Sequence, residues 1–419
     1  MLFFFTTPFF NIFRMGPRWD VVELGIKKIE VKVDIKKRIG TYVRQGITGA
    51  YYQAYVPQPL PPDPALNMEQ LYPYLDKAIS AVAELNGVAK SIPNISLFIY
   101  MYVRKEALLS SQIEGTQSSF ADLMLFEHEQ KPDVAIEDVE EVSHYVAAIN
   151  YGLKRIKEGF PLSLRLIREI HGVLLSGGRG KHKDPGEFRR SQNWIGGSRP
   201  GNALFVPPSP EYLKQCLADL EGFFYDEACT YHILIKAGLV HLQFETIHPF
   251  LDGNGRIGRL LIILMLCDNG FLSVPIVYLS LYLKQNRALY YELLQQVREN
   301  GTWEAWFEFF LQGVSYSAQQ ALLTIEKINT LFAHDMAEIE GLGKARFSAL
   351  LVFEHLKKLP QVTVALLAQE LDISEPTARS SLKHLQQLRI VEEVTGKMRD
   401  RTYVYRKYLD ILEQGAEPL

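Results

Sequence analysis

Three cysteines in 419 residues, Cys216, Cys229 and Cys267, are too few and too far apart for a C-x-x-C clip or a disulfide framework. Their odd number on apolar stretches predicts reduced, buried thiols, with neither a disulfide nor a structural zinc. Charge of one sign is lacking as well. The 45 Lys+Arg against 48 Asp+Glu leave a net charge of −3 and a pI near 6.4, which excludes a chain that binds nucleic acid or anionic membrane along its whole length. Long apolar runs are also missing: the longest internal one, Leu260 to Cys267, falls far short of a bilayer span. The apolar leader Met1 to Phe13 is too short to span and has no basic residues before it, as a signal peptide would. Residues 1–16 are therefore expected to be a disordered leader or to precede a true start at Met15. No internal repeat, low-complexity tract or G-x-x-x-x-G-K-[ST] loop occurs, so a P-loop enzyme is excluded. What remains, 47 % hydrophobic residues, suffices for two or three buried cores and predicts a soluble, cytoplasmic, mainly α-helical protein without membrane contact.

Residues 17–160 begin as an extended arm that ends in the Pro-rich stretch Pro57 to Pro64. Apolar residues three and four apart then predict helices over Leu71 to Val88, Leu97 to Ile113 and Val139 to Ile156. A second block, 161–312, is helical at both ends and broken by the Gly-rich stretch Gly177 to Pro210. There Trp194-Ile195-Gly196-Gly197 and Ala203-Leu204-Phe205-Val206 flank Pro200 and Gly201 and predict a β-hairpin. A long helix from about Trp303 to Ala333 spans a linker, 313–343, that ends at a Gly341-Leu342-Gly343 hinge. A C-terminal module follows at 344–410.

The stretch His248-Pro249-Phe250-Leu251-Asp252-Gly253-Asn254-Gly255-Arg256-Ile257-Gly258-Arg259 concentrates the chemistry. A loop feeds an apolar helix, and Gly253 and Gly255 permit amide N–H groups to converge with those of the helix start on one anion. Arg256 and Arg259 oppose the helix dipole unless an anion lies between them. Asp252 offers a hard oxygen for Mg²⁺, and His248, set off by Pro249, suits a general base near neutrality. Singly, His248 could cap a helix, the glycines could form a turn and the arginines could pair with surface acids. No single packing purpose needs all of them within twelve residues. Phe250 and Leu251 are assigned to the core.

This stretch resembles the Fic (Fido) signature H-x-F-x-[DE]-G-N-G-R-x-x-R at every specified position. Gly186-Glu187-Phe188-Arg189 is similar to the family's G-x-[FY]-R element, and Trp194 to Pro208 to its flap. The resemblance implies AMP transfer from ATP to a Ser, Thr or Tyr hydroxyl of a protein, with pyrophosphate leaving. It makes His248 the base and Asp252 the Mg²⁺ ligand. The implied ATP contacts are Glu114, His248, Gly253, Asn254, Gly255, Arg256, Ile257, Gly258, Arg259 and Tyr291, the last against adenine. A protein target is expected to add a strand to the flap, 193–206. Self-modification, a homodimer and reversal of the modification stay open.

The helix over Leu97 to Ile113 stops at Glu114-Gly115, which leaves a carboxylate at a helix C-terminus, as misplaced there as two arginines at an N-terminus. Pairing the two ends removes both faults. Ser110-Ser111-Gln112-Ile113-Glu114-Gly115 also resembles the family's inhibitory pattern [ST]-x-x-x-E-[GN], which implies that Glu114 bridges Arg259 and competes with a γ-phosphate. In the C-terminal module, helices are predicted over 345–358 and 363–371, and a third is capped by Ser374. A hairpin, Val391 to Val394 with Thr402 to Tyr405, completes a likeness to a winged helix-turn-helix. Ala378, Leu382, Leu385 and Leu388 form the inward stripe of the third helix, and Arg379, Lys383 and Gln386 another face. Eleven Lys+Arg against seven Asp+Glu over 345–408 make a weak footprint. DNA there, or a regulator that uses the loop as a nucleotide sensor, is the alternative to the enzyme.

Overall fold

A computed structural model describes residues 34–47, 50–91, 95–127, 134–396 and 401–417. The reading of residues 1–16 as a leader lies outside these residues, as does the arm up to residue 33. The rest of the arm folds back on itself as an antiparallel hairpin, β1 (Thr41–Gln45) and β2 (Tyr52–Val56), with Thr41 opposite Val56. Arg38 staples it to the body. Its buried guanidinium pairs with Glu304 at 2.8 Å and donates to the carbonyls of Pro64, Ala65 and Gly301.

Helices stand where the three-and-four spacing predicts them: α1 (Met68–Ser91), α2 (Ile95–Ile113) and α4 (Ile136–Lys157). Between the last two lies α3 (Phe120–Glu127), whose eight residues are too few and too uniformly apolar for a period to show. Then come α5 (Leu164–Leu174), started by Ser163 whose Oγ accepts the Leu166 N–H, α6 (Pro210–Phe224), α7 (Ile233–Ile247) and α8 (Asn254–Asp268). Both α7 and α8 are apolar on nearly every face and so must be enclosed. From Leu234 to Ile247 every residue but Lys236 is buried. The two helices pack on each other, with α2, α4 and α5 against α8 and α6 against α7.

After α9 (Ser280–Gln285) and α10 (Arg287–Asn300), the chain turns at Gly301 into α11 (Trp303–Glu340). This helix outruns the expected end at Ala333 because Met336 and Ile339 continue its apolar stripe, Ile339 being fully buried. The C-terminal elements are α12 (Arg346–Lys358), β3 (Gln361–Thr363), α13 (Val364–Glu370), α14 (Glu375–Gln387), β4 (Glu392–Glu393), β5 (Thr402–Val404) and α15 (Arg406–Glu413). The hairpin read from the sequence is one side of a three-stranded antiparallel sheet in the order β3-β5-β4. Neither β3, three residues long, nor α15 is visible in the sequence pattern. Ser374 caps α14 by accepting the Thr377 N–H; Ala378, Leu382 and Leu385 are buried and Leu388 is half-buried. Beyond α15 the chain crosses α2, where Lys105 donates to the Gln414 carbonyl at 3.0 Å and Gln112 to the Ala416 carbonyl at 2.8 Å.

The three cysteines are free; Cys216 is buried as expected, while Cys229 and Cys267 are only half-buried. No helix among the described residues is long and apolar enough to cross a membrane.

Candidate functional site

The loop between α7 and α8 is shaped by its own residues. His248 ends α7 in the left-handed conformation (φ 49°, ψ 60°), its N–H donating to the Phe244 carbonyl at 2.8 Å. Pro249 behind it disfavours a further right-handed turn. Gly253, at φ 78°, then starts α8. The Asn254 amide closes the turn: Oδ1 accepts the Phe250 N–H at 2.8 Å and Nδ2 donates to the Phe250 carbonyl at 2.9 Å. Phe250 is fully buried, whereas Leu251 is half-buried rather than in the core, because its position lies on the outer side of this turn.

These contacts sort the expected nucleotide residues. Both side-chain groups of Asn254 serve the loop, the Ile257 side chain lies in the core, and a Cβ on Gly258 would stand 2.6 Å from Glu245 Oε1. Of these three only Asn254, in the first turn, has a backbone N–H left for a ligand; that of Ile257 donates to the Gly253 carbonyl at 3.0 Å, and Gly258 lies a turn into α8. The first-turn N–H groups of α8 have no partner within the helix and form an anion seat.

Arg259 is held from across the fold. Nε donates to Ser110 Oγ at 2.8 Å, while Nη2 donates to the Ser110 carbonyl at 2.9 Å and to Glu114 Oε1 at 2.8 Å. A Cβ on Gly255 would fall 2.2 Å from the same Glu114 oxygen, so the carboxylate lies directly on the loop. Burial alone would raise the Glu114 pKa, but Arg259 outweighs it and holds the carboxyl below its ordinary value. Arg256 is equally buried, with Glu141 and Asp252 each 3.5 Å away. Its Nε and Nη1 have no hydrogen-bond partner among the described residues. The Tyr145 hydroxyl donates to the Arg256 carbonyl at 2.9 Å, and Arg179 holds Glu141 at 2.7 Å.

Asp252 accepts the Gly253 N–H on Oδ1 at 2.6 Å, and its side chain is 40 % exposed. Among the described residues no three His, Cys, Asp or Glu side chains converge as a metal cluster. One accessible carboxylate next to an anion seat nonetheless fits a Mg²⁺ that takes its other ligands from phosphate and water.

His248 sits between two buried guanidiniums. Arg189 Nε donates to the His248 carbonyl at 3.0 Å, and Arg298 donates through Nη2 to the Glu245 carbonyl at 3.2 Å. Burial first, then Arg298 and Arg189, push the His248 pKa down to about 4, so the imidazole is neutral at pH 7. A second histidine, His171, stacks on Phe250 at 3.7 Å and is structural. Its Nδ1 accepts the Gly186 N–H at 2.9 Å, which leaves Nε2–H to donate to the Asp252 carbonyl at 3.0 Å.

The flap is less regular than the predicted hairpin. Ile195 and Phe205 make a single antiparallel bridge, because Gly196 and Gly197 both take φ 69° and turn the chain out of any ladder. The Asn202 side chain closes the tip by accepting the N–H groups of Ser198 and Arg199. On the outer side, Val206 accepts the Tyr55 N–H at 2.9 Å, so β2 lies alongside the flap. Tyr291 stands on α10, 41 % exposed, its ring 5.0 Å from that of Tyr290. Its hydroxyl is shifted up by burial and next by the charge of Glu114. Arg379, Lys383 and Gln386 are exposed on α14, with Arg379 3.7 Å from Glu375.

His171, Glu141, Tyr145 and Arg298 are the contributors that sequence reasoning missed. Arg298 alone left a signal, a charge next to Val297 on the apolar stripe Tyr290, Leu293, Leu294 and Val297 of α10.

The sequence model of the Fic/DOC family N-terminal region matches residues 72–154, and that of the Fic/DOC family matches residues 161–266. Relatives named protein adenylyltransferase Fic include one from Drosophila melanogaster, 30 % identical over 228 residues that cover 53 % of this chain and 42 % of the relative. Another, from Aedes aegypti, is 30 % identical over 270 residues that cover 59 % and 49 %. The chain thus spans less than half the length of these relatives. A solved Fic family protein from Desulfovibrio desulfuricans G20 shares the fold at a TM-score of 0.51 and 18 % identity, over 80 % of this chain and 96 % of that one. Two Fic/DOC regions are thus present in the chain, an N-terminal one that holds α2 and a second that holds the whole loop from His248 to Arg259.

Proposed function

We propose that this chain transfers AMP from ATP to a Ser, Thr or Tyr hydroxyl of a protein, releasing pyrophosphate, and that Glu114 restrains the reaction. The observation that carries the reading is the unequal state of the two arginines at the start of α8. Arg256 keeps two buried N–H groups without a hydrogen-bond partner among the described residues, its carboxylate neighbours Glu141 and Asp252 standing off at 3.5 Å, while Arg259 is held at 2.8 Å by both Glu114 and Ser110. An anion seat with one cation ready and the other covered by a carboxylate is what a restrained polyphosphate site requires. The names of the relatives support the choice of AMP as the transferred group.

In this reading the triphosphate lies along Gly253 to Arg259, and Tyr291 faces the adenine. Neutral His248 removes the proton of the acceptor hydroxyl as its oxygen bonds to the α-phosphorus; the bond to the bridging oxygen breaks, and the electron pair leaves with pyrophosphate. A Mg²⁺ on Asp252 would neutralise phosphate charge there. The acceptor is presented as an added strand on the flap. Ile195 already bonds Phe205, so strand alternation leaves Trp194, on the extended side of the Gly196 turn, to receive it.

Mass spectrometry of the protein incubated with ATP, Mg²⁺ and lysate tests this. Glu114→Gly is expected to raise AMP incorporation at least tenfold over the wild type, and His248→Ala in that background to abolish it. No nucleotide uptake by Glu114→Gly in calorimetry overturns the reading. A second reading, hydrolytic removal of AMP from a modified protein, is favoured by the Glu114 carboxylate lying on Gly255, where it can orient a water. It requires that Glu114→Gly lose activity rather than gain it.

A further inference from the structure

Arg298 lies on the buried stripe of α10 and is 5 % exposed. It is not in an ion pair with any described residue, although burying an unpaired guanidinium is costly. Its groups reach two parts of the site at once. Nε donates to Thr246 Oγ1 at 3.1 Å and Nη2 to the Glu245 carbonyl at 3.2 Å, both in the last turn of α7 before His248. The guanidinium carbon lies 3.9 Å from the ring centroid of Phe205, the residue that bridges Ile195 and closes the flap. Arg189 does the same from the opposite flank, with the carbonyls of Ile247 and His248 on one side and that of Pro208 on the other. Partial negative charge gathers at a helix C-terminus, and a cation over an aromatic face is attracted to it, so one guanidinium satisfies both neighbours.

We propose that Arg298 is a positioning residue that locks the flap to the turn carrying His248, so that the acceptor strand and the base keep one register. A packing role alone would be met by an apolar side chain of the same length. A charged one is needed because the carbonyls of α7 must be bound while the ring is held. The meaning of this lock for turnover rests on the transferase reading, but the lock itself is measurable without turnover.

The experiment is hydrogen–deuterium exchange on the full chain, wild type against Arg298→Met, Arg298→Lys and Phe205→Leu. Peptides across 193–206 are expected to exchange at least tenfold faster in Arg298→Met and Phe205→Leu and within threefold of wild type in Arg298→Lys, with 260–268 unchanged in all. An NMR titration of His248, assigned by His248→Ala, adds a readout of the Arg298 charge, with Phe205→Leu as the control for what loosened burial contributes. The charged groups facing this imidazole are Arg298 from α10, Arg189 from the segment before the flap and Glu114 from the end of α2; the Glu245 backbone faces it from its own helix. Its pKa is expected to rise further in Arg298→Met than in Phe205→Leu and to stay in place in Arg298→Lys. Flap exchange within twofold of wild type in both Arg298→Met and Phe205→Leu overturns the proposal. Should Arg298→Met loosen the whole chain, Phe205→Leu decides, since it leaves the charge in place. Absence of AMP transfer in every variant, Glu114→Gly included, would count against the transferase reading and leave the lock standing.

Discussion

At the scale of single residues, the site joins groups that are legible in the sequence to groups that are not. Gly253, Gly255, Arg256 and Arg259 stand within one short stretch, and the physics of a helix start makes sense of them without a fold. Arg298 and Thr246, by contrast, are 52 positions apart, and Tyr145 is 111 from the carbonyl it binds. No spacing rule reaches that far. The same distance hides the buried acids. Glu106, on α2, reads as an ordinary helical glutamate, yet it is buried, accepting from Ser280, and burial raises its pKa to about 7 against 4.5 in the open chain. Between those two values the folded chain keeps a proton that the unfolded chain has lost, so stability falls as pH rises and the whole cost is present above about 7. Glu106→Gln keeps the bond without the charge. It is expected to remove this slope and to add on the order of 3 kcal/mol in urea unfolding at pH 8, with little change at pH 4.

At the scale of elements, the helices with room for several turns were readable and the short pieces were not. The periods of α1, α2 and α4 are plain, whereas α3, β3 and α15 owe their form to the neighbours they pack on. The flap shows the opposite error: two short apolar runs flanking Pro200 and Gly201 promised a hairpin, but two successive glycines with positive φ allowed one bridge only. Close approach of elements also explains a small residue in α7 that no turn requires. The Trp306 indole N–H donates to the Gly238 carbonyl at 3.3 Å, and a Cβ on Gly238 would stand 2.7 Å from the Phe307 ring. Gly238→Ala is expected to push α7 and α11 apart at a cost of about 1–3 kcal/mol, read as a lower urea midpoint.

At the scale of the whole molecule, the two ends of the described chain both reach back to the centre. Arg38 ties the first hairpin to α11, and residues 414–416 cross the helix that presents Glu114. Gln112, two positions before that glutamate, is fully buried. It donates to the carbonyls of Ser118 and Ala416 and accepts from Lys284, so the last turn of α2 is finished by residues that follow α15. Deleting residues 414–419 is expected to speed amide exchange across 108–115 at least fivefold while leaving 260–268 unchanged. Exchange measured on the shortened chain checks this.

That crossing gives the molecule a mechanical property. Any load that peels α15 and the residues after it off the body is delivered, through the Lys105 ammonium and the Gln112 amide, to the end of α2 that carries Glu114. A protein grasped by its C-terminal module would therefore have the hold of Glu114 on Arg259 worked by a cord sewn into its own far end.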